Sequence, residues 1–317
     1  MHVHVGPPCR VRVLLSHRPR NRSTFSIVDA TVKPGNSPLV ELRYLAPAGT
    51  RLFAKLEWFN PTGSIKDRAA WYMFQNAVTE GILAPGQPMI EATSGNTGIG
   101  LARLALIHKH PMAICLPSTA TEERKKILRA YGTDLIEVEG GPNEAIAHAR
   151  GLVEDGEGVM LYQYGNRWNV YAHFFGTSRE VIRDWPLDEP PTHLFAAYGT
   201  GGTLTGNSRG LVKEWPNLKV HSVEPYVDDP IGGMRSQDDP FQPPIADLRL
   251  VTHRHQIHKK IADEMVAHVM KTEGEFVGTS SGAILEAALQ GLETDGGTAV
   301  ALLPDAGWKY LSGPPWS

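Results

Sequence analysis

The segment Asn60-Pro61-Thr62-Gly63-Ser64-Ile65-Lys66-Asp67-Arg68 decides how this chain is interpreted. Pro61 and Gly63 predict a turn. Ser64 is then a candidate N-cap, and Lys66 falls in the first turn of the helix that follows. A lysine near the positive end of a helix dipole is mildly unfavourable, and by base rate it would be an ordinary surface residue. A lysine desolvated among polar turns instead has a lowered pKa, as Schiff-base formation requires.

Three further turns are rich in glycine and hydroxyl side chains, and each lies between a predicted strand and a predicted helix. They are Thr93-Ser94-Gly95-Asn96-Thr97-Gly98, Gly199-Thr200-Gly201-Gly202-Thr203 and Gly278-Thr279-Ser280-Ser281-Gly282. In parallel sheets such turns lie at the carboxyl ends of strands, where ligands bind, and a helix N-terminus suits an anion. One such turn is often only a connection, but three in one chain favour a ligand site.

The second of these turns does not fit a dinucleotide fingerprint. After Gly199 and Gly201, the third glycine of G-x-G-x-x-G would fall at position 204, which is Leu204. The sequence also contains no G-x-x-x-x-G-K-[ST] motif for nucleoside triphosphates. These patterns disfavour nicotinamide and triphosphate cofactors.

From residue 51 onward, short apolar runs alternate with amphipathic stretches of helical length. Predicted strands include 51–56, 88–92, 112–116, 134–138, 193–198, 218–224 and 298–303, and predicted helices include 66–79, 96–108, 121–131, 143–154, 203–215, 256–271 and 282–292. Between Pro225 and Asp247, five prolines and two glycines predict a long irregular segment, either a functional loop or a disordered one. The alternation predicts an α/β fold with mostly parallel sheets.

Composition and charge exclude several classes of protein. The 317 residues are 41% hydrophobic and 21% charged, with a formal net charge of -3, which is typical of a globular protein and not of a nucleic-acid binder. No apolar run reaches the ~18 residues of a membrane span. With Cys9 and Cys115 as the only cysteines, a disulfide scaffold is disfavoured and a cytoplasmic, reducing location is expected. His253, His255 and His258 lack the partners of a metal pattern, so no metal is expected.

The N-terminal segment 1–30 is basic. Its first acidic residue is Asp29, and it carries five arginines between Arg10 and Arg22. We interpret it as a disordered basic extension, and an organelle transit peptide is the open alternative.

The four motifs, in this order, resemble those of the cysteine synthase family of pyridoxal-phosphate enzymes, which have the tryptophan synthase β fold type. The resemblance extends from about Gly35 to Tyr310, and the ending Asp305-Ala306-Gly307-Trp308-Lys309-Tyr310 is most similar to the branch that uses O-phosphoserine. It implies two three-layer α/β domains with mostly parallel twisted sheets, at 31–165 and 166–317, and a cofactor in the cleft between them.

The resemblance also implies residue roles. Lys66 forms the internal aldimine with pyridoxal 5′-phosphate, Asn96 hydrogen-bonds the pyridine 3′ oxygen, and Ser280, in preference to Ser281, faces the pyridine nitrogen. The cofactor phosphate is cradled by Gly199, Thr200, Gly201, Gly202 and Thr203. The substrate carboxylate is bound by Thr93, Ser94, Asn96, Thr97 and Gln163. Arg235 aligns with an arginine that contacts the substrate phosphate, and Arg167 is a second candidate for that role.

The residue types fit this chemistry. A neutral hydroxyl at the pyridine nitrogen gives a weaker electron sink than an aspartate would, so prompt loss of a β substituent is favoured over a long-lived carbanion. We therefore expect β-replacement on an O-activated L-serine, with O-phosphoserine favoured over O-acetylserine. Addition of a sulfur nucleophile to an aminoacrylate would give L-cysteine. The sulfur donor, sulfide or a thiocarboxylated carrier protein, is open, and the family implies a homodimer.

Three alternatives share these motifs: an enzyme that makes another β-substituted alanine, a serine or threonine deaminating lyase, and a catalytically silent binding homologue. Arg167-Trp168 and Ser178-Arg179 depart from the family pattern. Arg167 and Trp168 could reshape the pocket, which keeps the first alternative open.

Overall fold

The computed structural model describes residues 32–93 and 95–316, so the predicted extension 1–30 and Ser94 lie outside the described residues. The strands are β1 (Leu39–Glu41), β2 (Arg51–Leu56), β3 (Met89–Ala92), β4 (Met112–Pro117), β5 (Asp134–Val138), β6 (Val159–Met160), β7 (His193–Ala197), β8 (Lys219–Pro225), β9 (His253–Ile257) and β10 (Thr298–Leu303). The helices are α1 (Lys66–Thr79), α2 (Asn96–His108), α3 (Glu122–Ala130), α4 (Pro142–Glu154), α5 (Arg167–Ala172), α6 (Ser178–Asp184), α7 (Gly202–Glu214), α8 (Lys259–Thr272) and α9 (Thr279–Asp295).

These strands form two sheets. The larger has the order β1-β2-β10-β7-β8-β9, and the smaller has the order β5-β4-β3-β6. Among the pairings of the described strands, only β1 with β2 is antiparallel. The predicted α/β class with mostly parallel sheets is therefore confirmed.

Helices cover both faces of the larger sheet. Along β10, Ala299, Ala301 and Leu303 pack in one apolar cluster with residues of α8 and α9. The alternate residues Val300 and Leu302 pack in another cluster with residues of α6 and α7. Because successive side chains of a strand point to opposite faces, this alternation defines a three-layer arrangement.

The smaller sheet is also covered on two sides. Ile90 and Ala92 of β3 pack with Ala145 and Ala149 of α4, while α2 contacts β3 and β4. Both β1 and β2 belong to the larger sheet although they precede the smaller one in the chain. The division at residues 165 and 166 stays a proposal.

Most predicted elements have the expected bounds, and the differences have physical reasons. The helix predicted from residue 256 begins at Lys259, because residues 253–257 form strand β9 beside β8. Between β6 and β7 the chain forms α5, a π-helical turn at His173–Thr177, and α6. The predicted irregular loop between Pro225 and Asp247 contains no helix or strand. No helix in the described part of the chain is long and apolar enough to span a membrane.

A chain of hydrogen-bonded histidines crosses three neighbouring strands of the larger sheet. His193 Nε2 donates to the Gly296 carbonyl at 3.1 Å. Its Nδ1 therefore accepts from His221 Nε2 at 2.9 Å, and His221 Nδ1 in turn accepts from His255 Nε2 at 2.9 Å. This direction of donation requires neutral rings. Burial, followed by the neighbouring histidines, lowers the pKa of His221 to about 2. No cluster of three or more His, Cys, Asp or Glu side chains suited to a metal occurs in residues 32–93 and 95–316.

The histidine chain predicts sensitivity to acid. The pKa of His221 is depressed in the fold, so the unfolded chain binds more protons below its usual pKa of about 6.5 and stability falls with falling pH. We expect a loss of roughly 1–2 kcal/mol in unfolding free energy between pH 7 and pH 5 from this residue. Urea unfolding at both pH values would measure it. His221→Gln should reduce the pH dependence, whereas His268→Gln, on an exposed position of α8, should not. An unchanged pH dependence in His221→Gln would contradict the assignment.

Candidate active site

Lys66 is the first residue of α1, and the turn before it is held by the helix itself. The Asp67 carboxylate accepts hydrogen bonds from the Thr62 backbone N–H at 2.9 Å and from the Thr62 hydroxyl at 2.6 Å. Ile65 precedes the helix and its side chain does not cap it, but the hydroxyl of the predicted N-cap Ser64 accepts from the Lys66 backbone N–H at 3.3 Å. The Asp67 carboxylate, from inside the helix, also accepts from the Ser64 backbone N–H at 3.5 Å, so Ser64 and Asp67 both anchor this turn.

A buried ion-pair cluster fixes the direction of α1. Arg68 Nε donates to Glu57 at 2.6 Å, and Arg68 Nη2 donates to Glu180 at 2.7 Å. Arg68 and Glu57 are buried, and Glu180 lies on α6. The nearby positive charge of Arg68 outweighs the effect of burial and lowers the pKa of Glu180 to about 2. The cluster thereby ties the helix that starts at Lys66 to the larger sheet and its helices.

Lys66 lines a cavity of about 490 Å³ between the two sheets. The cavity continues into a narrower recess of about 40 Å³, to which Lys66 and Asn96 also contribute. Burial lowers the pKa of Lys66 to about 8, with a smaller opposing effect from the negative charge of Asp305. The sequence-based expectation of a desolvated lysine among the polar turns agrees with this position.

The predicted phosphate turn forms one wall of the recess. Gly199, Thr200, Gly201 and Thr203 line it, and Gly202 is the first residue of α7. A Cβ on Gly199 would lie 2.7 Å from the Gly233 carbonyl oxygen, and Gly201 has a φ of +83°. Glycine is therefore required at both positions, and the backbone N–H groups at this helix N-terminus suit an anion.

The predicted carboxylate turn lies at the opposite wall. Thr93 and Thr97 line the cavity together with Gln163, and Ser94 lies outside the described residues. Thr97 donates to Gln163 Oε1 at 2.6 Å, and Gln163 Nε2 donates to the Ala92 carbonyl at 3.0 Å. The Gln163 side chain is therefore at the cavity, and its amide oxygen and amide nitrogen each make a hydrogen bond within the protein.

Ser280 and Ser281 differ in their surroundings. Ser280 lines the recess, whereas Ser281 is fully buried and donates to the Asp305 carbonyl at 3.4 Å. This supports Ser280 as the residue that faces the ring nitrogen.

The two candidate arginines for the substrate phosphate are far from equivalent. Arg235 lines the cavity, with its guanidinium over the rings of Tyr164 and Phe241. It also donates to Asp239 at 3.0 Å and to Asn143 at 2.9 Å. Arg167 lies at the surface, paired with Glu80, and is not among the residues that line the cavity. Of these two arginines, Arg235 is therefore the one placed to meet a substrate.

The sequence interpretation missed several residues of the site. Asn169, which follows the Arg167-Trp168 pair, donates from Nδ2 to the Gln163 carbonyl at 2.8 Å and to the Thr200 hydroxyl at 3.0 Å. It thereby links the carboxylate wall to the phosphate turn. His173 contacts the Thr203 hydroxyl at 3.2 Å, and burial, with the charge of Lys66, lowers its pKa well below the usual value. Only its spacing of one helical turn from Asn169 could have indicated it.

Comparison with known proteins agrees with this geometry. Residues 30–305 match the family model described as pyridoxal-phosphate dependent enzyme, and the chain belongs to that family. It is similar to cysteine synthase B of Salmonella typhimurium, with 38% identity over 282 residues that cover 88% of this chain and 92% of the relative. The resemblance to the cysteine synthase family is thus confirmed.

Solved structures show the same similarity. An O-ureido-L-serine synthase superposes with a TM-score of 0.84 at 31% identity, covering 92% of this chain and 94% of that one. A cysteine synthase from Entamoeba histolytica superposes with a TM-score of 0.78 at 32% identity, covering 95% and 93%.

The residues fit pyridoxal phosphate, the cofactor of this family. The glycine turn leaves room that a Cβ would fill, Lys66 supplies an amine, and Ser280 supplies a hydroxyl. When bound, the cofactor supplies an electron sink for the bonds at the substrate Cα. The individual residue roles stay predictions, which the experiments below test.

Proposed function

We propose that this enzyme catalyses β-replacement on O-phospho-L-serine with a sulfur nucleophile and gives L-cysteine. The charge of the cavity carries the proposal. Among the described residues that line it, Arg124 and Arg235 carry permanent positive charges and none is an aspartate or a glutamate. Such a wall suits a substrate that carries a phosphate dianion as well as a carboxylate. The similarity to cysteine synthases supports the product.

Each step of the proposed β-replacement is assigned to a side chain of the cavity. Thr93 and Thr97 bind the substrate carboxylate and orient its Cα. The amine of Lys66 takes the Cα proton, and its pKa of about 8 suits a base near neutral pH. Arg235 receives the phosphate that leaves with the electron pair of the Cβ–O bond. A sulfur nucleophile then forms the new bond to Cβ, and Lys66 returns the proton to Cα.

A comparison of two substrates tests the proposal. The wild-type protein should show a higher kcat/KM with O-phosphoserine than with O-acetylserine when sulfide is the second substrate and cysteine is measured. A preference for O-acetylserine would contradict it. Product analysis without a sulfur donor would reveal a deaminating lyase, and absence of any turnover would indicate a binding homologue.

Arg235→Ala gives a sharper prediction for the leaving group. A lost charge-assisted hydrogen bond of about 1.5–3 kcal/mol corresponds to a decrease of about 10- to 150-fold in kcat/KM for O-phosphoserine. The value for O-acetylserine should change less than about threefold, since that substrate has no phosphate. Arg167→Ala is the matched control and should leave both values unchanged. Equal losses on both substrates in Arg235→Ala would remove phosphate recognition as its role.

A second candidate follows from the O-ureido-L-serine synthase similarity. The product in the name of that enzyme is an O-substituted serine rather than cysteine. The alternative for this chain is therefore β-replacement with a nucleophile other than sulfide. Competition between sulfide and hydroxyurea-type nucleophiles, followed by identification of the amino-acid product, separates the two.

The sulfur donor and the assembly are parts of the same proposal. We propose sulfide or a thiocarboxylated carrier protein as donor, a homodimer as the assembly and the cytoplasm as the location. Assays with sulfide alone would show whether a carrier is needed. Light scattering of the purified protein would determine its mass in solution.

A further inference from the structure

Two side chains from the segment after β10 contact the Asn96 amide, and a third contacts one of these two. Lys309 Nζ donates to Asn96 Oδ1 at 2.9 Å. Asn96 Nδ2 donates to Asp305 Oδ2 at 2.7 Å, and the Tyr310 hydroxyl donates to the same oxygen at 2.7 Å. We call Lys309, Asp305 and Tyr310 the Asn96 clamp.

The chemistry of the clamp allows only one orientation of the Asn96 amide. An ammonium group can only donate hydrogen bonds and a carboxylate can only accept them. The amide oxygen must therefore face Lys309, and the amide nitrogen must face Asp305. A primary amide nitrogen has two hydrogens, so one N–H remains for another acceptor. Since Asn96 lines the cavity beside Lys66, that acceptor can be a cofactor oxygen.

Burial makes the clamp stiff. Lys309 is 2% exposed and Asp305 is 1% exposed. Burial raises the pKa of Tyr310, as does the negative charge of Asp305, so the phenol stays protonated and remains a donor. Burial lowers the pKa of Lys309, and Asp305 and Asp67 oppose this effect. Because these groups are buried, loss of one partner would leave the others unpaired, which restricts the side chains to this arrangement.

We propose that Lys309 and Asp305 are positioning residues that hold Asn96 as a hydrogen-bond donor toward the cofactor ring. Neither needs to touch the cofactor, because each acts through the amide. The proposal rests on the cofactor and on Asn96 facing it, and it is independent of which serine derivative or sulfur donor the enzyme uses.

Lys309→Met tests this inference, since methionine keeps an unbranched apolar stem and removes the donor. We expect the Kd for pyridoxal phosphate, titrated into apoprotein, to rise at least about tenfold, or about 1.4 kcal/mol. The visible absorbance band of the bound cofactor should shift, and its pH titration should move. kcat should fall more than KM rises. Lys309→Arg keeps a donor and should restore the Kd to within about threefold of wild type.

A double-mutant cycle distinguishes positioning from general stabilisation. If Lys309 acts through Asn96, Lys309→Met should have little further effect on the Kd in an Asn96→Ala background. Lys219→Met is the matched control, because it removes a lysine of β8 that is paired with Asp295 of α9. A lower melting temperature of the apoprotein with an unchanged Kd and band would show a merely structural role and overturn the proposal. If Lys309→Met does not fold, Asp305→Asn serves with the same readouts, and an unchanged Kd and band in that variant would overturn the proposal equally.

Discussion

Lys66→Ala is expected to abolish turnover and to remove the visible absorbance of the lysine-bound cofactor. Among the described residues that line the cavity, Lys66 is the only lysine, so no other lysine of that wall can replace it. Its pKa of about 8, against an ordinary value of 10.5, gives it ~10²-fold more neutral amine at neutral pH than an exposed lysine has. A positioned base contributes about 10²–10⁴-fold to rate, so kcat/KM should fall by at least that factor.

The measurement is steady-state cysteine formation, together with an absorbance spectrum after incubation with pyridoxal phosphate. Lys260→Ala is the matched control, because its side chain is 85% exposed on α8 and lies in a weak surface pair. It should retain wild-type turnover and spectrum. Substantial activity in Lys66→Ala would remove Lys66 from its proposed role, and with it the mechanism.

Gly202→Ala is expected to produce the second large effect, a loss of cofactor affinity. A Cβ at this position would lie 2.1 Å from Asn169 Oδ1. Asn169 cannot move freely, because it donates to the Gln163 carbonyl and to the Thr200 hydroxyl. The displacement would therefore reach the phosphate turn. Overpacking of about 1–3 kcal/mol predicts a rise of about 5- to 150-fold in the Kd for pyridoxal phosphate.

Gly151→Ala provides the control for this substitution. Gly151 lies within α4, and a Cβ there would meet no atom within 4 Å. Alanine is a better helix former than glycine, so its unfolding free energy should stay equal or rise by up to about 1 kcal/mol. Cofactor titration followed by fluorescence would compare the two variants. An unchanged Kd in Gly202→Ala would mean that the turn does not hold the phosphate.

Local rules predicted the elements well where hydrophobic periodicity is strong. Helices α1 and α2 and strands β2, β5 and β10 have the predicted bounds. Strand β9 was missed because His253-Arg254-His255-Gln256 looks polar; these side chains find partners only in neighbouring strands and loops, as Arg254 does with Glu224.

The residues of the candidate site also differ in how far the sequence alone could indicate them. Lys66 and the glycine turns carry motifs, so the sequence alone could propose them. Asn169, Lys309 and Asp305 act through contacts with residues up to 213 positions away. No local pattern encodes such distances. The departure at Arg167-Trp168 lies at the surface near Glu80 rather than in the cavity, so it does not reshape the wall that meets the substrate.

The pairing of β2 with β10 affects how the chain can be assembled. Arg51 lies opposite Thr298 and Leu56 opposite Leu303, so β2 must wait for a partner strand that follows it far along the chain. Until β10 leaves the ribosome, β2 and β7 have no strand between them, and Lys66 cannot face the glycine turn that begins at Gly199. Closing so long a loop is slow. A nascent chain would therefore expose the apolar residues of β2 until β10 is made.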